Sequence, residues 1–123
     1  MWIKTNPNPC GRAVGDCAVR AIAIALGISW EEAFDLLTDA ARKMCDLPNS
    51  NSVWGAVLRM HGFYMSAIEM GDYYTASDFA HDNPVGIYVL GFGNHVATVI
   101  DGNIYDAWDS SNEIPQYVWY KED

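Results

Sequence analysis

The sequence is poor in basic residues. Seven lysines and arginines stand against sixteen aspartates and glutamates, which gives a formal net charge of −9. A surface of that sign repels phosphates, so we expect no nucleic-acid partner. The charges are scattered along the chain and not gathered in blocks, which indicates an ordinary solvated surface. A more specific interpretation is a protein that binds basic surfaces or mimics nucleic acid.

Long apolar runs are also missing. The longest stretch, residues 21–28, is interrupted by Gly27 and falls far short of the ~20 residues that span a bilayer. The chain starts with one lysine and no apolar run behind it. We therefore expect no secretory signal, no membrane partner and a cytoplasmic location.

Cysteine is scarce and has no paired spacing. Cys10, Cys17 and Cys45 make an odd count without a C-x-x-C motif. This pattern argues against a disulfide framework and against a cysteine-based zinc site. We expect a reducing, intracellular setting and no metal or other cofactor.

The sequence does contain enough apolar material for a packed core. Half of its 123 residues are hydrophobic, and no segment reads as a linker. We therefore expect one domain that spans residues 1–123.

Helical patterns come first along the chain, and strand patterns follow. The first sixteen residues, punctuated by proline and glycine, are predicted to be a loop. Asp16 is a suitable N-cap for the first helix, and Ser29 with Glu32 forms a capping box for the second. The sequence predicts helices over 17–26, from Ser29 to near Met44 or Cys45, and over 53–60; strands over 63–68, 86–90, 95–100, 104–108 and 116–120; and one helical turn at 77–80. This order is typical of an α+β domain whose helices pack on one side of an antiparallel sheet.

The stretch GDCAVRAIAIALG, residues 15–27, puts a thiol at the start of the first helix. Unpaired backbone N–H groups and the positive end of the helix dipole stabilise a thiolate there, and the thiolate is the nucleophilic form. The amide of Cys17 is one candidate to bind an oxyanion, and Asn6 and Asn8 in the preceding loop are others. The alternative is that Cys17 is a small, buried apolar residue.

A nucleophilic cysteine needs a base, and His95 is the best placed of the three histidines. It begins a predicted strand after the glycine-containing loop 91–94, from which it can project into a cleft. His61 near a helix end and His81 in a polar loop are better explained as a carbonyl cap and a solvated side chain. The alternative for His95 is a hydrogen-bonded structural residue of the sheet.

The residue that orients His95 should come from the strand paired with it. The two strands flank Asp101-Gly102-Asn103, which is a strong hairpin signal. A two-residue turn puts position 108 or 110 opposite His95, so that Asp106 is a diagonal neighbour and Trp108 shares the same face. A three-residue loop would put Asp109 opposite His95 instead. We expect the Asp106 carboxylate to hold the Nδ1–H of His95, with Asp109 as the alternative.

Three stretches together, GDCAVRAIAIALG, GIYVLGFGNHVATVIDGNIYDAWDSSNE and EIPQYVWYKE, resemble a family of small phage or prophage proteins with a compact papain-like fold, related to C39-type peptidases. Cysteine at a helix start, then histidine on a strand, then an acid one hairpin later is the chain order of papain-like thiol enzymes. The resemblance extends over roughly residues 1–121, and the cysteine and histidine segments are its specific part. It implies a papain-like fold with thiol-dependent hydrolysis or acyl transfer at an amide, thioester or isopeptide bond.

The oxyanion donor departs from the papain-like pattern. Those enzymes usually carry a glutamine a few residues before the cysteine, whereas this sequence has Gly11 there and no glutamine in its first hundred residues. Asn6 or Asn8 is then the candidate donor, and Trp108 is a candidate to line the substrate site.

The sequence thus predicts a papain-like cysteine hydrolase or acyltransferase, in its simplest form a cysteine peptidase, with a Cys17–His95–Asp106 triad and a peptide or protein substrate. The alternative is a catalytically inactive acidic module, for example a phage protein that inhibits a host enzyme in the host cytoplasm. Either would be a monomer or a small homo-oligomer.

Overall fold

The computed structural model describes residues 1–121 as an α+β fold in which four helices pack on one mixed, six-stranded sheet. The helices are α1 (Cys17–Leu26), α2 (Trp30–Met44), α3 (Asn51–Met60) and α4 (Ala76–Asp82). The strands are β1 (Trp2–Lys4), β2 (Phe63–Ala67), β3 (Ile87–Gly91), β4 (Val96–Ile100), β5 (Asn103–Asp106) and β6 (Tyr117–Lys121). Their order across the sheet is β1-β5-β4-β3-β6-β2.

The first two helices begin and end where local signals predict. α1 covers residues 17–26, and Gly27 adopts the left-handed conformation (φ 66°, ψ 38°) that ends a helix. Ser29 and Glu32 form the predicted capping box at the start of α2. No helix within the described part of the chain is both long enough and apolar enough to cross a membrane.

The expectation of a purely antiparallel sheet was wrong at one edge, as was the expectation that the first sixteen residues form only a loop. β1 runs parallel to β5, with Trp2 opposite Ile104 and Lys4 opposite Asp106. The other strand pairs are antiparallel. A three-residue strand is too short to show a period of two, so the sequence pattern gave no signal for β1.

Helices cover both faces of the sheet, whereas the sequence predicted them on one side only. α1, α2 and α3 pack on one face, where they bury Val89 and Trp119. α4, longer than the single turn predicted, packs Phe79 on the other face with Leu90. Because the central strands carry apolar residues at successive positions, both of their faces need cover.

The β4–β5 hairpin fixes which side chains approach the start of α1. Asp101-Gly102 forms the predicted two-residue turn, with positive φ at both residues (50° and 79°). Ile100 therefore pairs with Asn103, one of the registers expected from the sequence. The fully buried hydroxyl of Thr98 donates to the carbonyl of Ala21 at 2.9 Å, which ties β4 to α1.

A glycine on β3 provides a test of the packing beside this interface. A Cβ added to Gly91 would lie 2.1 Å from Cζ of Tyr117, its cross-strand partner. We expect Gly91→Ala to lower the free energy of unfolding by about 1–3 kcal/mol, because the Tyr117 ring must move. The matched control is Gly93→Ala, whose added Cβ would meet nothing nearer than 3.8 Å. Urea unfolding measures both, and equal effects of the two substitutions would contradict the packing described.

Candidate active site

The N-terminus of α1 and the start of β4 meet in a cleft of about 300 Å³, called here the thiol cleft. Cys17 and His95 both lie in its wall, although they come from opposite halves of the sequence. The rest of the lining comes from the segments before α1, around the start of α3 and after β3: Gly15, Ala18, Asn49, Asn51, Trp54, Phe92, Gly93, Asn94 and Val96.

The half-buried Cys17 thiol is held in an environment that favours the thiolate. Burial raises the pKa of this thiol, but hydrogen bonds from His95 and from the backbone of Val96 lower it, as do the charges of His95 and Arg20. The lowering interactions prevail, and the pKa of Cys17 lies below its ordinary value. A thiolate is therefore available at a lower pH than in a free cysteine.

The helix start adds donors beside the thiol. The first intrahelical hydrogen bond of α1 runs from the N–H of Arg20 to the carbonyl of Asp16 at 2.9 Å. The N–H groups of residues 17–19 consequently have no partner within the helix. These N–H groups, at the same helix turn as the thiol, are candidate donors for an oxyanion.

The His95 ring is nearly buried, with a side chain 8% exposed, and its Nε2 hydrogen-bonds Oδ2 of Asp106 at 2.6 Å. Burial lowers the pKa of His95, but the hydrogen bonds and charges of Asp106 and Cys17 raise it to about 9. A lowered thiol pKa beside a raised imidazole pKa favours the thiolate–imidazolium form of the pair over the neutral form, and the two groups titrate as a unit.

Asp106, not Asp109, is the carboxylate that contacts His95. Asp109 is exposed and hydrogen-bonds Ser111. The expectation that the carboxylate would hold Nδ1 was wrong, because it bonds Nε2 instead. Asp106 lies on the neighbouring strand, diagonal to His95, and from there it reaches the outer ring nitrogen.

Asp106 is 3% exposed, and its carboxylate has several polar partners besides His95. Oδ2 also accepts from the hydroxyl of Ser110 at 2.7 Å. Oδ1 accepts from the N–H of Ala107 at 2.8 Å and lies 3.7 Å from Nη2 of Arg20. These contacts fix the position of the carboxylate while it is bonded to His95.

Arg20 links Asp106 to the loop that precedes α1. Its buried guanidinium pairs with Asp16, one turn back on the helix. Asp16 also accepts from Nε1 of Trp30 at 2.9 Å and from Nδ2 of Asn8 at 3.3 Å. Asp16 occupies the predicted N-cap position, yet its side chain does not cap the helix, because these partners hold it.

The loop side chains predicted as oxyanion donors, Asn6 and Asn8, do not line the thiol cleft. Asn6 and Gly11 line a neighbouring pocket together with Trp108. The side-chain amide of Asn6 donates to the carbonyl of Arg12 at 3.3 Å, and that of Asn8 donates to Asp16.

Trp108 is placed as its predicted face implies. Its ring contacts the His95 ring, with centroids 4.5 Å apart, and it remains 44% exposed. It therefore covers the imidazole and borders solvent at the same time.

Sequence reasoning missed three contributors. Trp54 and Phe92 line the thiol cleft, and Phe92 also stacks on the His95 ring with centroids 5.8 Å apart. The sequence predicted the helix that contains Trp54 and the buried face beside it, so including Trp54 in that face would have identified this residue. Ser110 is fully buried but lies in an irregular loop after β5, where no periodic signal exists.

Among residues 1–121, no three His, Cys, Asp or Glu side chains are placed to hold a metal ion. Comparisons with protein-family models, with curated proteins and with solved structures find no match to this chain.

The lowered pKa of Cys17 predicts the pH dependence of its alkylation. We expect the rate with iodoacetamide to rise with pH at a midpoint below that of N-acetylcysteine, because thiolate forms at lower pH. His95→Ala should move the midpoint upward, because burial raises the pKa of the thiol and His95 no longer offsets that effect. Mass spectrometry of each cysteine measures the rates, with the exposed Cys10 and Cys45 as internal controls. A Cys17 midpoint equal to that of N-acetylcysteine would contradict the pairing.

Proposed function

We propose that this chain is a papain-like cysteine hydrolase or acyltransferase, of the small phage-type family that it resembles, acting on an amide, thioester or isopeptide bond. One observation carries the proposal. His95 is hydrogen-bonded to a buried carboxylate through Nε2 and lies beside the Cys17 thiol at a helix start, and both residues line one cleft. A nucleophile, a base and an orienting group in this relation are what covalent acyl chemistry requires.

The first chemical step follows from the thiolate–imidazolium pair. The Cys17 thiolate attacks the carbonyl carbon of a substrate held in the thiol cleft, and the negative charge moves to the carbonyl oxygen. The free N–H groups at the start of α1 stabilise that oxyanion. The His95 imidazolium then donates its proton to the leaving group as the carbon–nitrogen or carbon–sulfur bond breaks.

The second step regenerates the enzyme from a thioester on Cys17. Neutral His95 removes a proton from an incoming water, or from an amine acceptor in a transferase, and the new nucleophile displaces the thiolate. Asp106 keeps the ring oriented and stabilises its charged form throughout both steps.

Acyl-enzyme formation is the direct test of this chemistry. With p-nitrophenyl acetate as an activated probe, we expect a burst of nitrophenol and an acetyl group on Cys17. Cys17→Ala should abolish the burst, and His95→Ala should slow it by about 10²–10⁴-fold, because general acid–base catalysis is lost. Cys45→Ala, at the exposed residue that follows the C-terminus of α2, is the matched control and should react like the wild type.

The outcome of that experiment also separates the proposal from an inactive acidic binding module. A module that keeps the fold without the chemistry would give no burst, and Cys17→Ala would then behave like the wild type. Such a result would contradict the hydrolase or acyltransferase proposal.

A bell-shaped pH profile is expected for kcat/KM. Activity should rise through the lowered pKa of Cys17 as the thiolate forms, and fall through about 9 as His95 loses the proton that it donates. Asp106→Asn should move the alkaline limb to lower pH, because a neutral amide no longer raises the pKa of His95. Steady-state rates against pH measure both limbs, and an alkaline limb that Asp106→Asn leaves in place would count against this assignment.

A further inference from the structure

A second pocket, of about 410 Å³, adjoins the thiol cleft. The two meet at His95: Phe92 contacts its ring and lines the thiol cleft, whereas Trp108 contacts the same ring and lines the second pocket. The loop before α1 forms the other boundary, with Gly15 in the cleft and residues 11–14 in the second pocket. An extended substrate lying across the thiol would reach from one into the other.

The second pocket concentrates positive charge in a strongly acidic protein. Lys4, Arg12 and Arg20 line it, three of the seven basic residues in the chain, and no acidic side chain does so. Asp16 and Asp106 compensate Arg20. Within the part of the chain that the structure describes, neither Lys4 nor Arg12 has a carboxylate within 4.0 Å. We call this cavity the basic pocket.

Arg20 provides an independent observation at the same place. Its Nε is buried and has no hydrogen-bond partner among residues 1–121. Buried donors are normally satisfied. This N–H, on a residue of the pocket wall, is a hydrogen-bond donor that residues 1–121 leave unsatisfied.

We infer that the basic pocket binds an anionic group of the substrate, a carboxylate or a phosphate, on the segment that lies beyond Trp108. That this segment is part of an acyl substrate rests on the proposed function. The preference for an anion comes from the charges of Lys4 and Arg12, so it can be measured without turnover. The net negative charge of the protein repels anions elsewhere on its surface. Lys4 and Arg12 therefore favour binding of the charged end of the substrate at this pocket.

The inference is tested by alkylation of Cys17, which needs only a reactive thiol. Three iodoacetamides differ in their N-substituent: carboxyethyl, phosphonoethyl and hydroxypropyl. For each charged reagent we take the ratio of its rate to that of the neutral reagent, and divide it by the same ratio for N-acetylcysteine. In the wild type we expect this normalised ratio to be about three to five for at least one charged reagent. An increase of that size corresponds to the free energy of an exposed ion pair. The faster of the two charged reagents identifies the anion as carboxylate or phosphonate.

Charge reversal in the pocket gives the decisive comparison. Arg12→Glu, in an exposed loop, and the double variant Lys4→Glu/Arg12→Glu should abolish or invert the preference. Arg42→Glu, an exposed arginine on α2, is the matched control and should keep it. The preference should also disappear at high salt, because exposed charges are screened. A wild-type ratio equal to that of N-acetylcysteine, or one that Arg12→Glu leaves unchanged, would overturn the inference. Failure of the proposed function would appear separately, as loss of acyl-enzyme formation with alkylation intact.

Discussion

The hydrogen bond between Oδ2 of Asp106 and Nε2 of His95, 2.6 Å long and almost fully buried, is the contact on which the rest of the site depends. A carboxylate removed from water is costly unless other groups compensate its charge and fill its lone pairs. Here the compensation comes from several parts of the chain: the residue just before β4 is His95, α1 provides Arg20, and the loop after β5 provides Ser110. Asp106 therefore holds the fold together at the same point where it orients the imidazole.

Helix α1 connects that contact with the Cys17 thiol. Cys17 and Arg20 lie one turn apart on the same helix, so the position that brings the guanidinium to Asp106 also sets the thiol beside His95. The bond from Thr98 to Ala21 holds β4 against the same helix. The same packing of α1 on β4 thus forms the interface between helix and sheet and sets the thiol beside the imidazole. A shift of either element would disturb both.

Local rules in the sequence predicted the parts of this arrangement that lie within single elements. The boundaries of α1 and the two-residue turn at Asp101-Gly102 are set by capping and turn chemistry, and the turn predicted that Asp106 would lie beside His95. That Cys17 would meet these two residues was implied by the resemblance to papain-like enzymes. Contacts between distant elements were not predictable in this way. The parallel strand β1 and the burial of Ser110 arise from packing that no period or motif encodes. The choice of Nε2 over Nδ1 likewise depends on how the two strands are placed in three dimensions.

Nitrogen-15 NMR of the imidazole ring of His95, followed against pH in the intact protein, tests the central claim most directly. The account predicts that His95 keeps both ring protons up to a pKa of about 9, and that Asp106→Asn lowers this pKa. His95→Ala identifies the resonances, and His61 and His81 serve as references in the same spectrum. Titration of His95 near the ordinary value of about 6.5, with no response to Asp106→Asn, would contradict the proposed ion pair and the chemistry derived from it.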